Sequence, residues 1–303
     1  MFKVTCIICA YSPRMDYLNQ TLDSLRAQCF SREDWEFILV DNSSKEPLAG
    51  RVDLSGIPDA RCFYEAELGA THARLCGIRE ARGEIIVFVD DDNILDSQYF
   101  SLVWKLFSEN RLLGCIGGSL IPRFECEPPV NSEPFWECLA LRTVEQLDVD
   151  CSFELKAKPY GAGLSLRREI AEQYALHVSR SDSRKRLGRI GNSLGGCEDI
   201  DMAYTAVEMG YVCGLFPDLK LTHLIDRKRL NWEYLKKISH DANCSYIELL
   251  RSRGLPLPRR IALYRSLARV LLGLLRRPSG YNLSRFKRRH QEVRGMLKAL
   301  SNI

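Results

Sequence analysis

Five apolar residues, Ile85 to Val89, run without a break into three carboxylates, Asp90, Asp91 and Asp92. No other stretch narrows the fold as much. A continuous apolar run of strand length, closed by turn residues, marks a parallel strand covered on both faces. The preceding chain repeats the theme. Val4 to Ala10 reads as an apolar strand, Tyr17 to Gln28 as a helix through Leu18, Leu22 and Leu25, and Trp35 to Asp41 as a second strand. Arg61 to Glu65 is a weaker strand, and Ala70 to Arg82 a helix halted by Gly83. Asp96 to Asn110 is another helix, with Leu102, Val103, Leu106 and Phe107 inward. Such alternation predicts an α/β fold with a doubly wound, mostly parallel sheet.

The three adjacent charges need an explanation. Two like charges about 4 Å apart repel by roughly 4 kcal/mol at an effective dielectric near 20. Water, a basic side chain or a metal ion must offset that repulsion. Ligands of open α/β sheets bind beyond the carboxyl ends of the strands, where Asp41 and the aspartate run both stand. Hard carboxylate oxygens suit Mg²⁺ or Mn²⁺, often bound through one or two carboxylates plus substrate phosphates. If strand geometry persists, Asp90 and Asp92 share a face and Asp91 turns away. A lone acidic run reads as a solvated loop or helix cap; after a buried strand, a metal–nucleotide site is the better reading.

Composition sets the outer limits. With 46% hydrophobic and 27% charged residues in 303, the chain is of the soluble globular class. The aliphatic run Val270 to Leu275 is far short of the about 20 apolar residues a membrane span needs. The first residues read as a strand rather than a signal peptide. Cys6 and Cys9 form a C-x-x-C, but on a strand they face opposite sides, and no second such pair completes a zinc site. Buried reduced thiols in a cytoplasmic protein account better for the twelve cysteines.

The net charge of +4 hides an asymmetry: Arg251 to Ile303 holds fourteen Lys or Arg against one acid, Glu292. Within it Ile261, Tyr264, Leu267, Leu271 and Leu274 fall at helical spacing among arginines. Such a basic amphipathic helix suits an anionic membrane surface, placing the protein peripherally on an inner face. It suits equally a helix packed on the catalytic body with a charged outer side. Nucleic acid fits less well, so no nucleic-acid partner is expected, since no recognition motif accompanies the charge. Elsewhere, Arg123 to Pro159 is broken by prolines into loops and short helices, and Leu176 to Gly196 is a polar, basic loop. Glu198 opens a helix that Gly210 stops, and the pattern beyond Leu230 is helical.

Four stretches, taken in order, resemble glycosyltransferase family 2: "CAYSPRMDYLNQTLDSLRAQ" with "ILVDNSS", "GATHARLCGIREARGEIIVFVDDDN", "GAGLSLRRE" and "GGCEDIDMAYTAVEMGY". The resemblance implies a GT-A fold, Rossmann-like, with residues 1–230 as nucleotide-sugar-binding and catalytic domain and 231–303 as a basic helical C-terminal region. It implies transfer of a sugar from an NDP-sugar to a hydroxyl of a glycan or lipid-linked acceptor. By the same resemblance Ala10, Tyr11 and Asp41 would hold base and ribose, with Arg74 near the nucleotide or phosphates. Asp90 would sit by the ribose with Asp91 in the same donor-binding group, and Asp92 would ligate Mn²⁺ or Mg²⁺, with His223 as a further ligand. Asp199 would be the general base of an inverting transfer, with Glu198 as the alternative.

Plainer readings stand beside these. The family's Asn soon after the arginine is absent here, where Leu75 and Cys76 follow, and Arg74 could be a helix-surface residue. Asp41 could be only a strand-end cap, and His223 a hydrogen-bonded structural histidine. Acids in a first helical turn stabilise the helix by about 0.3–1 kcal/mol without chemistry. Gly161 and Gly163 would let a sugar or acceptor approach the backbone. Two rival functions are a sugar nucleotidyltransferase, which lacks its glycine-rich triphosphate loop here, and a non-catalytic carbohydrate-binding protein on the same fold.

Overall fold

A computed structural model describes residues 2–301, with the side chain of Ile261 outside the described set. The strands are β1 Val4–Ala10, β2 Trp35–Asp41, β3 Ala60–Tyr64, β4 Ile85–Val89, β5 Asn93–Leu95, β6 Leu113–Phe124, β7 Asp148–Asp150, β8 Ser165–Arg167 and β9 Val212–Ile225. They form one sheet in the order β3-β2-β1-β4-β8-β6-β9-β5, with β7 also on β9. β1, β2, β3, β4, β6 and β9 all run one way, and only the three-residue strands β5, β7 and β8 oppose them. The sheet is mostly parallel, as the apolar runs predict.

Both faces are covered. On β1, Val4, Cys6 and Ile8 join a core with α1 (Met15–Arg26) and α3 (Tyr99–Glu109). Ile7 points the other way, into a second core with α2 (Ala70–Glu80), α4 (Arg168–Ser179) and α6 (Glu198–Glu208). This three-layer packing explains the continuous apolar strands, which have no solvent face to mark with polar residues. Gly210, at φ +85°, ends α6 where the sequence places the stop.

Two strands at the proline-broken region are not read from the sequence: β7 lies inside it, and β6 runs up to its start. β6 reads poorly in sequence because of Gly117, Gly118 and Pro122. Its ladder with β9 shifts register between Gly117 and Ser119, and a Cβ at Gly118 would strike the Leu219 carbonyl. The glycine is there because two backbones nearly touch.

The C-terminal residues form α7 (Trp232–Ser252), α8 (Arg260–Arg276) and α9 (Gly280–Ser301). α7 is anchored in the body of the protein: Leu249 joins the second core, while Leu235 and Ile238 pack with Phe135, Leu139 and Ile225. Among the described residues no helix is long and apolar enough to cross a membrane.

Candidate active site

The tips of β1, β2 and β4 open into a cleft of about 940 Å³. Ala10, Tyr11, Arg74, Asp90, Asp91, Asp92, Glu198, Asp199 and His223 all line it. Residues more than 200 positions apart in the chain thus meet in one place.

Strand geometry does not persist past Val89. The chain turns at once, with the Asp90 N–H donating to Asn93 Oδ1 at 3.0 Å and the Asn93 N–H to the Asp90 carbonyl at 3.2 Å. The turn corrects the expected facing: all three aspartates line the cleft, Asp91 included. β5 then pairs antiparallel with β9, and Asn93 lies opposite His223. This register sets His223 Nε2 3.4 Å from Asp92 Oδ2.

A third group, which the sequence did not single out, joins them. Arg229 Nη1 lies 3.1 Å from Asp92 Oδ2 and 3.3 Å from His223 Nε2. Burial alone would raise the Asp92 carboxyl, but His223 and Arg229 hold it down at about 2. Asp91, half-buried beside two other carboxylates and less well served by Arg229, is pushed up to about 8, chiefly by desolvation. The repulsion among the three aspartates is thus relieved locally: one is paired, while its neighbour is biased toward the proton. Nothing in "HLIDRKR" tells which of the three basic residues turns inward. The short turn Arg227–Arg229, capped by Asp226 accepting from the Lys228 N–H at 2.7 Å, decides it.

Asp92 Oδ2 and His223 Nε2 are a carboxylate and an imidazole converging at a cleft wall, a donor pair that suits Mn²⁺ or Mg²⁺ completed by phosphate oxygens. Among the described residues no cluster of three or more His, Cys, Asp or Glu could hold a metal. Oxygens from a bound diphosphate would therefore have to supply the remaining positions.

The second acidic set opens onto the cleft from the N-terminus of α6. Arg74 is not on a helix surface: it is buried, lies over the Phe88 ring at 5.2 Å, and reaches Glu198 Oε1 at 3.2 Å and Asp90 Oδ1 at 3.9 Å. Glu198 Oε2 has no hydrogen-bond partner, and burial raises this carboxyl despite Arg74. Asp199 is held by backbone, accepting from the Gly161 N–H at 2.8 Å and the Ile200 N–H at 2.7 Å. Asp201, two residues on, turns inward to Arg184 and Arg253 and is structural.

Two expectations are corrected. The room at Gly161 is taken by the Arg74 guanidinium, and a Cβ at Gly163 would meet the Tyr99 hydroxyl at 2.5 Å. Protein side chains, not a ligand, account for both glycines. Asp41 lies at the tip of β2 as expected, yet its two oxygens accept the Ser44 and Leu48 N–H groups at 2.9 and 2.8 Å. It folds the following loop, and its neighbour Asn42, rather than Asp41 itself, lines the cleft. Cys9, also on the wall, is pushed up to about 12, chiefly by burial, so it is no thiolate nucleophile.

Residues 5–154 match the family model "Glycosyl transferase family 2". The chain carries a glycosyl transferase family 2 domain. Over 103 residues it is 32% identical to the uncharacterized glycosyltransferase EpsJ of Bacillus subtilis, a match covering 33% of this chain and 29% of the relative. A similar match, 32% over 104 residues, is to the uncharacterized protein y4gI of Sinorhizobium fredii, covering 33% of this chain and 11% of that one. The chain therefore spans under a third of the length of these relatives. In fold it is similar to the mannosyltransferase PcManGT of Pyrobaculum calidifontis in complex with GDP-Man and Mn²⁺, at TM-score 0.64 and 17% identity, covering 99% and 87% of the two chains. It is also similar to S. aureus TarS 1-349 in complex with UDP-GlcNAc, at TM-score 0.57 and 12% identity, covering 96% and 90%. The fold is GT-A.

Proposed function

We propose that this protein transfers a sugar from a nucleoside diphosphate sugar to an acceptor hydroxyl, with inversion at the anomeric carbon. The observation that carries the reading is the meeting of two acidic sets, Asp90–Asp92 and Glu198–Asp199, across one cleft. Its volume of about 940 Å³ falls within the usual range for small-molecule sites, roughly 300–1,000 Å³.

In this reading Ala10, Tyr11 and Asn42 border the base and ribose, and Asp41 acts indirectly by fixing the loop that carries Asn42. Asp90 and Asp91 lie at the ribose–diphosphate side. Asp92 and His223 would hold a divalent cation, which would supply charge for the departing nucleoside diphosphate. Arg229 must then give way from between them, and the nearest new anion for its guanidinium is the diphosphate itself. Arg74, fixed by Glu198 and Asp90, positions both acidic sets. Asp199 takes the proton from the acceptor hydroxyl as it attacks: two backbone N–H bonds hold the carboxylate in place, and each oxygen keeps a further lone pair for the proton. The acceptor is a glycan or lipid-linked saccharide.

The test is a screen of NDP-sugars for Mn²⁺-dependent transfer or hydrolysis, run beside Asp199→Asn. Transfer that survives in Asp199→Asn removes the assigned base. Release of pyrophosphate from a nucleoside triphosphate and a sugar phosphate would instead show nucleotidyl transfer.

A further inference from the structure

α8 divides into three stripes when placed at about 100° per residue. Leu263, Leu267, Val270 and Leu274 form one seam, of which Leu263 and Leu267 pack against α7 and α9. Next to that seam stand Tyr264, Leu271, Leu272 and Leu275, all exposed and Leu275 by 66%. Beyond them Arg265, Arg269 and Arg276 form a basic edge, also exposed. Past the turn at Pro278, Tyr281 and Leu283 continue the exposed apolar surface. A helix that had only to cover the body would need the first seam alone.

We propose that this face of α8 docks on an anionic phospholipid surface. A second copy of the chain is a poor occupant, because antiparallel or parallel pairing would bring arginine edges together with no acid from Arg251 to Gln291 to meet them. A lipid surface answers both stripes at once: acyl chains take the leucines and tyrosine, phosphate headgroups take the arginines. The orientation also suits the cleft. Arg289 of α9 donates to Ser266 of α8 at 2.9 Å and itself lines the cleft, as do Arg288 and Glu292. Docking would therefore hold one cleft wall a single helix away from the membrane, where a lipid-linked acceptor would be presented. The docking claim stands without the transferase reading, and its test uses no sugar.

The experiment is co-sedimentation of the full chain with phosphatidylcholine vesicles, with and without phosphatidylglycerol. Binding is expected only with phosphatidylglycerol and falls as salt rises. Arg265→Glu with Arg269→Glu and Arg276→Glu should weaken it by on the order of 100-fold or more. Leu272→Ser with Leu275→Ser should weaken it by about ten-fold or more. All five side chains are exposed, so thermal melting should match the unsubstituted protein and separates lost docking from lost fold. Equal binding to neutral vesicles, no binding to either, or unchanged binding in both variants overturns the proposal. So does a dimer in sizing chromatography that the leucine variant disperses.

Discussion

Two buried glutamates sit in opposite circumstances. Glu36 on β2 is wholly buried and fully served: Thr5 Oγ1 donates at 2.7 Å, the Arg82 N–H and Nε at 2.6 and 2.7 Å, and Arg61 Nη2 at 2.8 Å. Burial pushes its carboxyl up, but those bonds outweigh it and leave it lowered. Glu198 is nearly as buried, has one arginine and one oxygen without a partner, and stays raised. A carboxylate that the fold needs is given every partner; one held for a ligand is left incomplete. Asp41 and Asp201 belong with Glu36 by this measure, and Glu198 stands apart. Asp199 is backbone-held like Asp41, and what separates it is that it lines the cleft whereas Asp41 does not.

That contrast can be broken by substitution. The largest effect expected is on turnover. Asp199→Asn should lower transfer by about 10²–10⁴-fold, measured by product formation. Its stability loss in calorimetry should be only about 1–3 kcal/mol, because the amide nitrogen cannot accept one of the two backbone N–H groups. Glu36→Ala should act on stability alone, lowering it by about 1–3 kcal/mol in urea titration, since Arg61 and Arg82 are partly exposed and recover water. A donor-dependent assay should find its kcat within about two-fold of the parent's, as expected for a residue remote from the cleft.

Next in size is Arg229→Gln. Removing a cation that competes at Asp92 and His223 should tighten Mn²⁺ binding to the free protein by a few-fold, roughly the 1 kcal/mol of a partly exposed pair. Mn²⁺ titration followed by electron paramagnetic resonance reads this directly. Weaker binding would mean that Arg229 supports the site rather than competes for it.

The smallest effects are in pH dependence, and their signs differ. Glu36 has a folded value below its unfolded one, so its stability contribution is full above the ordinary carboxylate range. That contribution is lost as pH falls through the lowered value. Glu36→Gln should therefore flatten the acid limb of stability. Glu198 has a folded value above its unfolded one, so its ionisation costs stability at neutral pH and protonation recovers it. Glu198→Gln should raise the melting temperature slightly at pH 7 and leave it unchanged in acid. Equal shifts for the two variants would erase the contrast.

The sheet was legible where it obeys period and length. Val4–Ala10 and Ile85–Val89 are read to the residue because parallel strands buried on both faces leave no ambiguity. β6 was not, because Gly118 and Pro122 look like breakers until β9 is known to lie against them. The acids of the cleft were visible as types and motifs. Their partners were not: Arg229 reaches Asp92 across 137 positions, and Arg74 on α2 reaches Glu198 on α6 from a distant part of the chain, neither of which leaves a local pattern. Asp41 shows the converse. Its position at a strand tip matches a ligand site, while its hydrogen bonds assign it to the loop.

The proposed transfer requires Asp92 to join a divalent cation to a diphosphate. Calorimetric titration of a nucleoside diphosphate such as UDP or GDP into the protein, with and without Mn²⁺, tests this most directly. Binding should require Mn²⁺ and disappear in Asp92→Ala, with the fold intact by circular dichroism. Binding that is indifferent to Mn²⁺, or preserved in Asp92→Ala, would contradict it.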